Sequence, residues 1–135
     1  MRRSLQRSTE VQEKKRLLLV EDEEVVRGLA SSTLQFAGYE VTQASDGEDA
    51  LAVFREQSGS FDLIITDVVM PRMSGRDLMK QVWVTAPAMK VLYMSGHIAD
   101  DELQAEISKE DVPYLPKPFK PSELTQKVSE LFGEV

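Results

Sequence analysis

The sequence predicts an α/β protein, a doubly wound, five-stranded parallel sheet with helices on both faces. Three observations predict it. Short apolar runs at residues 17–20, 63–65 and 91–94 are too brief for helices and read as strands buried on both faces. Between them lie segments of ten or more residues whose apolar positions recur at helical spacing, so strand and helix alternate along the chain. Each run also ends abruptly in acidic, hydroxyl or turn-forming residues, as expected where parallel strands deliver their C-terminal tips to one side of a sheet.

Taken in order, residues 1–15 lack apolar periodicity, with only Leu5 and Val11 as sizeable apolar residues after Met1, and read as a flexible N-terminal extension or linker to a domain spanning 16–135. The first strand, 17–20, runs straight into Glu21-Asp22-Glu23-Glu24. Val26, Leu29, Ala30, Thr33, Leu34 and Ala37 then share a helical face, and Gly38 suits the position just past a helix end. Residues 39–44 alternate apolar and polar, the pattern of an edge strand. Asp46 caps the second helix, which turns Ala50, Leu51 and Phe54 inward and ends at Ser58-Gly59-Ser60. The third strand leads to Asp67 and a loop marked by Pro71 and Gly75, where Arg72 and Met73 read as loop surface. The third helix carries Leu78, Met79, Val82 and Trp83 on one face, with Trp83 read as packing, and stops at Ala86-Pro87. The fourth strand ends in Ser95-Gly96-His97. A fourth helix over 98–110 has few large apolar residues and many acids, so it is expected to be short, exposed and mobile. The fifth strand, 112–116, holds two prolines and belongs at an edge. Pro121 opens the last helix, whose Leu124, Val128, Leu131 and Phe132 share a face. The pattern does not dictate strand order. The order 2-1-3-4-5 of flavodoxin-like sheets suits the exposed character of strands two and five and is adopted by analogy.

A length of 135 residues and 41% apolar content suit one domain with one core. The absence of cysteine excludes disulfides, thiolate metal sites and cysteine catalysis, and with no signal segment it points to a cytoplasmic protein. No apolar run approaches the roughly 20 residues that span a bilayer, so no membrane contact is expected. Residues 1–16 carry six basic and two acidic side chains, which leaves −11 of charge on the remainder of a chain that totals −7. Such an acidic body repels phosphate backbones and suits a cation or a basic partner better than a nucleic acid.

Parallel strands should bring Glu21, Asp22, Asp67, Ser95 and Lys117 together at their tips. Carboxylates about 5 Å apart repel by roughly 3 kcal/mol per pair at an effective dielectric near 20, which a divalent cation would relieve. Oxygen donors without His or Cys favour a hard ion, and an open site that retains waters favours Mg²⁺. Lys117 and the Ser95 hydroxyl would face a phosphoryl group carried on Asp67, so phosphoryl transfer to Asp67 is the reaction inferred.

The segments LLLVEDEE, LIITDVVMPRMSG, VLYMSG and YLPKPF resemble, in order, the four signature regions of the response-regulator receiver domain. The resemblance covers residues 16–132. It implies that Asp67 is the phosphoacceptor, that Asp22, Asp67 and the backbone carbonyl of Val69 bind Mg²⁺, and that Glu21 assists through water. It further implies that Ser95 is the switch hydroxyl, Tyr114 the switch aromatic, and Lys117 the phosphoryl contact ahead of a cis proline, Pro118. Val69 and His97 would flank the path of hydrolytic water and set phosphoryl lifetime. A histidine kinase or histidine phosphotransfer protein is the implied partner, with a weak homodimer as a further association, and the output surface is that of the fourth helix, fifth strand and fifth helix. The Ser95-Gly96-His97 and Tyr114-to-Lys117 segments look most like receivers attached to hybrid sensor histidine kinases. Glu21 and Ser95 depart from the commoner aspartate and threonine.

Other readings compete. A haloacid-dehalogenase-type phosphatase needs a second acid two residues after its nucleophile, where this chain has Val69. A nucleotide-binding domain would show GxGxxG or a P-loop, and neither occurs. A non-phosphorylated pseudo-receiver would lack an acid or the lysine. His97 also reads as a solvent-facing loop residue, and Tyr114 as edge-strand packing.

Overall fold

A computed structural model describes residues 14–96 and 112–133. Five parallel strands, β1 (Arg16–Val20), β2 (Glu40–Ala44), β3 (Leu63–Asp67), β4 (Val91–Ser95) and β5 (Tyr114–Pro116), form one sheet in the order β2-β1-β3-β4-β5. Four described helices connect or follow them: α1 (Glu24–Phe36), α2 (Gly47–Glu56), α3 (Gly75–Thr85) and α4 (Pro121–Leu131). The helix expected over 98–110, and His97, lie outside the described residues.

Strand periodicity divides the core in two. Leu18, Val20, Ile64 and Tyr93 point to one face, where α2 and α3 cover them with Ala50, Phe54, Leu78, Met79 and Val82. Leu17, Leu19, Leu63, Ile65, Leu92 and Met94 point to the other, against Ala30 and Leu34 of α1 and Leu124 and Val128 of α4. Covering both faces makes β3 and β4 buried throughout and leaves only Arg16 of β1 partly exposed. The edge strands β2 and β5 are mixed in burial, which is why their sequences alternate or tolerate proline.

The sheet starts one residue before the apolar run. Arg16 donates its backbone N–H to Asp62 (2.7 Å), pairs with Glu40 (3.3 Å) and lies over the Phe61 ring, and its guanidinium also donates to Gln57 and Ser60. A basic residue at the end of a basic tail thus closes the pole of the sheet away from the acidic tips. Helix boundaries follow local chemistry. Asp46 and Ser74 cap α2 and α3 by accepting from the backbone N–H of Asp49 and Asp77. Gly38, at φ 103°, takes the left-handed turn that ends α1. Pro121 stands in the first turn of α4. No helix among the described residues is long and apolar enough to cross a membrane.

Candidate functional site

The tips of β1, β3, β4 and β5 meet as the parallel register requires. Asp67 ends β3 beside Met94 of β4, and Ser95 ends β4 beside Pro116 of β5. Glu21 continues β1 by donating its N–H to the Ala44 carbonyl of β2 (3.2 Å), and its own carbonyl accepts from Arg27 of α1 (2.7 Å). Ligand oxygens of Glu21, Asp22 and Asp67 lie within 4.8 Å of one another. Asp22 is exposed, whereas Glu21 is fully buried and Asp67 nearly so.

Lys117 reaches this cluster from beyond β5. Its ammonium donates to Glu21 Oε1 at 2.6 Å and to Asp67 Oδ2 at 2.9 Å. Its backbone N–H donates to the Ser95 carbonyl (2.7 Å), and the Lys117–Pro118 peptide is cis. The remaining carboxylate oxygens find backbone donors, Glu23 N–H to Glu21 Oε2 (3.1 Å) and Val69 N–H to Asp67 Oδ1 (3.4 Å). Sequence reasoning placed Lys117 opposite the acids as a phosphoryl contact. It did not pair it with Glu21.

Burial dominates the electrostatics. It pushes the Glu21 and Asp67 carboxyls above the usual carboxylate range, although the bonds from Lys117 pull the other way. Burial alone would lower the Lys117 ammonium, but its bonds and attraction to Glu21 and Asp67 outweigh that and hold it above the ordinary lysine value. Among the described residues, three carboxylates therefore face one ammonium, and the cluster is short of positive charge. Its donors are all oxygen and one side is open at Asp22, so the residues present fit a hard, partly hydrated cation.

Thr66, not singled out by sequence, and Gly75, read there only as a turn residue, shape the backbone at Asp67. The Thr66 hydroxyl donates to the Asp67 carbonyl (2.9 Å), and a β carbon at Gly75 would stand 2.3 Å from that same oxygen. Gly75 was legible as a turn residue, but its need for close approach was not. Arg72 is at the loop surface as expected, where it pairs with Asp46 (2.6 Å) and Glu48 (3.4 Å), whereas Met73 requires correction: it is partly buried against the core, because this loop folds back on the start of α2. Tyr114 packs on the α2/α3 side of the core, in register with Tyr93 rather than Ser95. It shares a sheet face with Ser95, two positions along. Val69 is half exposed beside Asp67, and Trp83 packs on the core with its indole N–H on the Met89 carbonyl.

The profile of the response regulator receiver domain matches residues 17–129. The chain belongs to the receiver-domain family. It is 33% identical over 129 residues to the sensor kinase CckA of Brucella abortus, covering 96% of this chain and 14% of that protein. It is 32% identical over 117 residues to the response regulator receiver protein CpdR of the same organism, covering 87% of this chain and 96% of that one. A receiver domain protein from Clostridium thermocellum superposes with a TM-score of 0.80 at 29% identity, covering 88% of this chain and 94% of that one. The receiver thus occurs among its relatives both as a small part of a kinase and as nearly a whole protein. The chain spans less than half of several regulators it matches, 46% of ycf27 of Pyropia yezoensis among them.

Proposed function

We propose that Asp67 takes a phosphoryl group from a phosphohistidine on a histidine kinase or histidine phosphotransfer protein, with Mg²⁺ bound at the strand tips. The observation that carries this is the meeting of Glu21, Asp22 and Asp67 with the Lys117 ammonium. An Asp67 carboxylate oxygen forms the new O–P bond as the P–N bond to the donor imidazole breaks, and the imidazole leaves with the bonding pair and takes up a proton. Asp22, Asp67 and the Val69 carbonyl would hold Mg²⁺, with Glu21 acting through water. The ion supplies positive charge for the phosphoryl oxygens. Lys117 offers an ammonium already within reach of Asp67, and Ser95, at the neighbouring tip, offers a hydroxyl donor. The Thr66 hydroxyl bonds the Asp67 carbonyl, and Gly75 lets the start of α3 approach that same oxygen, so the carboxylate is oriented before the donor arrives.

Transfer from a small donor such as acetyl phosphate, and later hydrolysis, would be catalysed by these same groups without another enzyme. The phosphatase alternative finds no support, because the position two residues after Asp67 is the half-exposed Val69. A partner face lies beside the site. Val25 and Leu29 are exposed on α1, and a cavity of about 460 Å³ between α1 and the segment after β5 is lined by Val26, Leu29, Lys117, Pro118 and Phe119. An apolar helix face bearing a phosphohistidine would fit there. Ser95 and Tyr114 on one sheet face support the switch reading, in which the phosphoryl group draws on Ser95 and Tyr114 repacks.

Incubation with acetyl phosphate and Mg²⁺, read by intact mass, should add one phosphoryl group to the wild type and none to Asp67→Asn. No adduct on the wild type, or an equal adduct on the variant, would overturn the reading.

A further inference from the structure

We propose that Arg72 is a positioning residue for the metal site, clipping the loop that carries Val69 to the first turn of α2. The inference rests on the phosphoacceptor reading. The loop is fixed at its two ends, where Val68 N–H donates to the Met94 carbonyl (3.0 Å) and Gly75 N–H to the Val68 carbonyl (2.9 Å). Between them Val69 is 54% exposed, held by its own N–H on Asp67 Oδ1 (3.4 Å) and by the buried neighbour Met70, and the stretch from Pro71 to Ser74 leaves the core for the surface.

Arg72 stands at φ 68°, in the left-handed region that residues with a β carbon rarely adopt. Glycine or asparagine would enter that region with less strain. Arginine instead brings two ionic contacts, Nη2 to Asp46 Oδ2 at 2.6 Å and Nε to Glu48 Oε1 at 3.4 Å. Asp46 is itself immobilised. Its other oxygen caps α2 by accepting from Asp49 N–H (2.7 Å), and the preceding strand bonds Glu21 through the Ala44 carbonyl. The clip therefore joins the loop that follows Asp67 to the loop anchored beside Glu21. Packing supports the same contact independently. A β carbon at Gly47 would lie 2.9 Å from Met73 Cβ, Cγ and O, so the start of α2 is shaped for the residue next to Arg72.

The test is Mg²⁺ titration by calorimetry on the wild type, Arg72→Gly, Arg72→Lys, Asp46→Asn and the double variant Arg72→Gly/Asp46→Asn. Thermal unfolding and amide shifts at Val69 would be followed alongside. Arg72→Gly relieves the strained backbone but lacks the clip, so it should keep its unfolding temperature while Mg²⁺ affinity falls by roughly two- to fivefold, the scale of a partly exposed ion pair. Arg72→Lys should recover part of the loss. Asp46→Asn keeps a cap acceptor and should match Arg72→Gly, with the double variant no weaker than either single one. The Val69 amide should shift in each variant that loses affinity. Unchanged affinity in Arg72→Gly, or additive losses in the double variant, would overturn the clip alone. Absence of Mg²⁺ binding by the wild type would overturn the phosphoacceptor reading with it.

Discussion

Replacing Lys117 by methionine removes the ammonium but keeps most of the apolar stem, and the structure sets the size of the effect. Two carboxylates lose bonds of 2.6 and 2.9 Å, and one of them, Glu21, is fully buried. Left ionised, Glu21 and Asp67, with oxygens no more than 4.8 Å apart, would repel by about 3.5 kcal/mol or more at an effective dielectric of 20. Stranding a buried charge costs about 3–5 kcal/mol. The protein can escape by protonating one carboxyl, which from an ordinary carboxylate value costs about 3.5 kcal/mol at pH 7 and about 1 kcal/mol at pH 5. The loss should therefore be about 3 kcal/mol at pH 7 and shrink toward 1 at pH 5. The sign follows from the direction of the shifts. Both carboxyls are already raised by burial, and without Lys117 they rise further, so their contribution is fully present below the unfolded carboxylate value and is lost as pH climbs toward the folded one. Urea unfolding of both proteins at pH 5, 6 and 7 in metal-free buffer measures it. Equal losses at pH 5 and pH 7, or a loss under about 1 kcal/mol at pH 7, would refute the claim that Lys117 balances these two buried acids.

Further outcomes follow from the same geometry. Asp22→Asn should clearly weaken Mg²⁺ binding in calorimetry while leaving stability in metal-free buffer equal or slightly higher, since it removes a like charge from an exposed edge; unchanged Mg²⁺ affinity would place the ion elsewhere. Gly75→Ala should lower stability by roughly 2 kcal/mol or more, because its β carbon would meet backbone rather than a movable side chain, and chemical denaturation would show it. Leu34→Ala, which empties a fully buried position between α1 and the sheet, should cost about 2–5 kcal/mol and leave phosphorylation by acetyl phosphate intact in the folded fraction. Beryllofluoride, a phosphoryl mimic, should shift the amides of Ser95, Tyr114 and Lys117, and the Tyr114 response should disappear in Ser95→Ala if the hydroxyl is the trigger.

Alternation of short apolar runs with helical periods determined the fold class, because strands covered on both faces must be apolar at every position and helices only on one stripe. Capping residues and glycines set element ends for equally local reasons, as at Asp46, Ser74 and Gly38. The acids of the site were legible too, since parallel strands all deliver their C-terminal tips to one side and Glu21, Asp22 and Asp67 each follow a buried run. Distances and burial were not. That Lys117 binds Glu21 as well as Asp67 depends on how the segment after β5 turns across two neighbouring tips, a separation of 96 residues in sequence. The Arg72 contacts arise in the same way, from the loops that follow β3 and β2, two strands with β1 between them, and nothing in the residues around Arg72 announces a partner 26 positions away. Local sequence decides what each element is and where its polar end lies. Only the packed sheet decides which of those ends touch, because charge pairing and close approach are set by register and crossover rather than by neighbours along the chain.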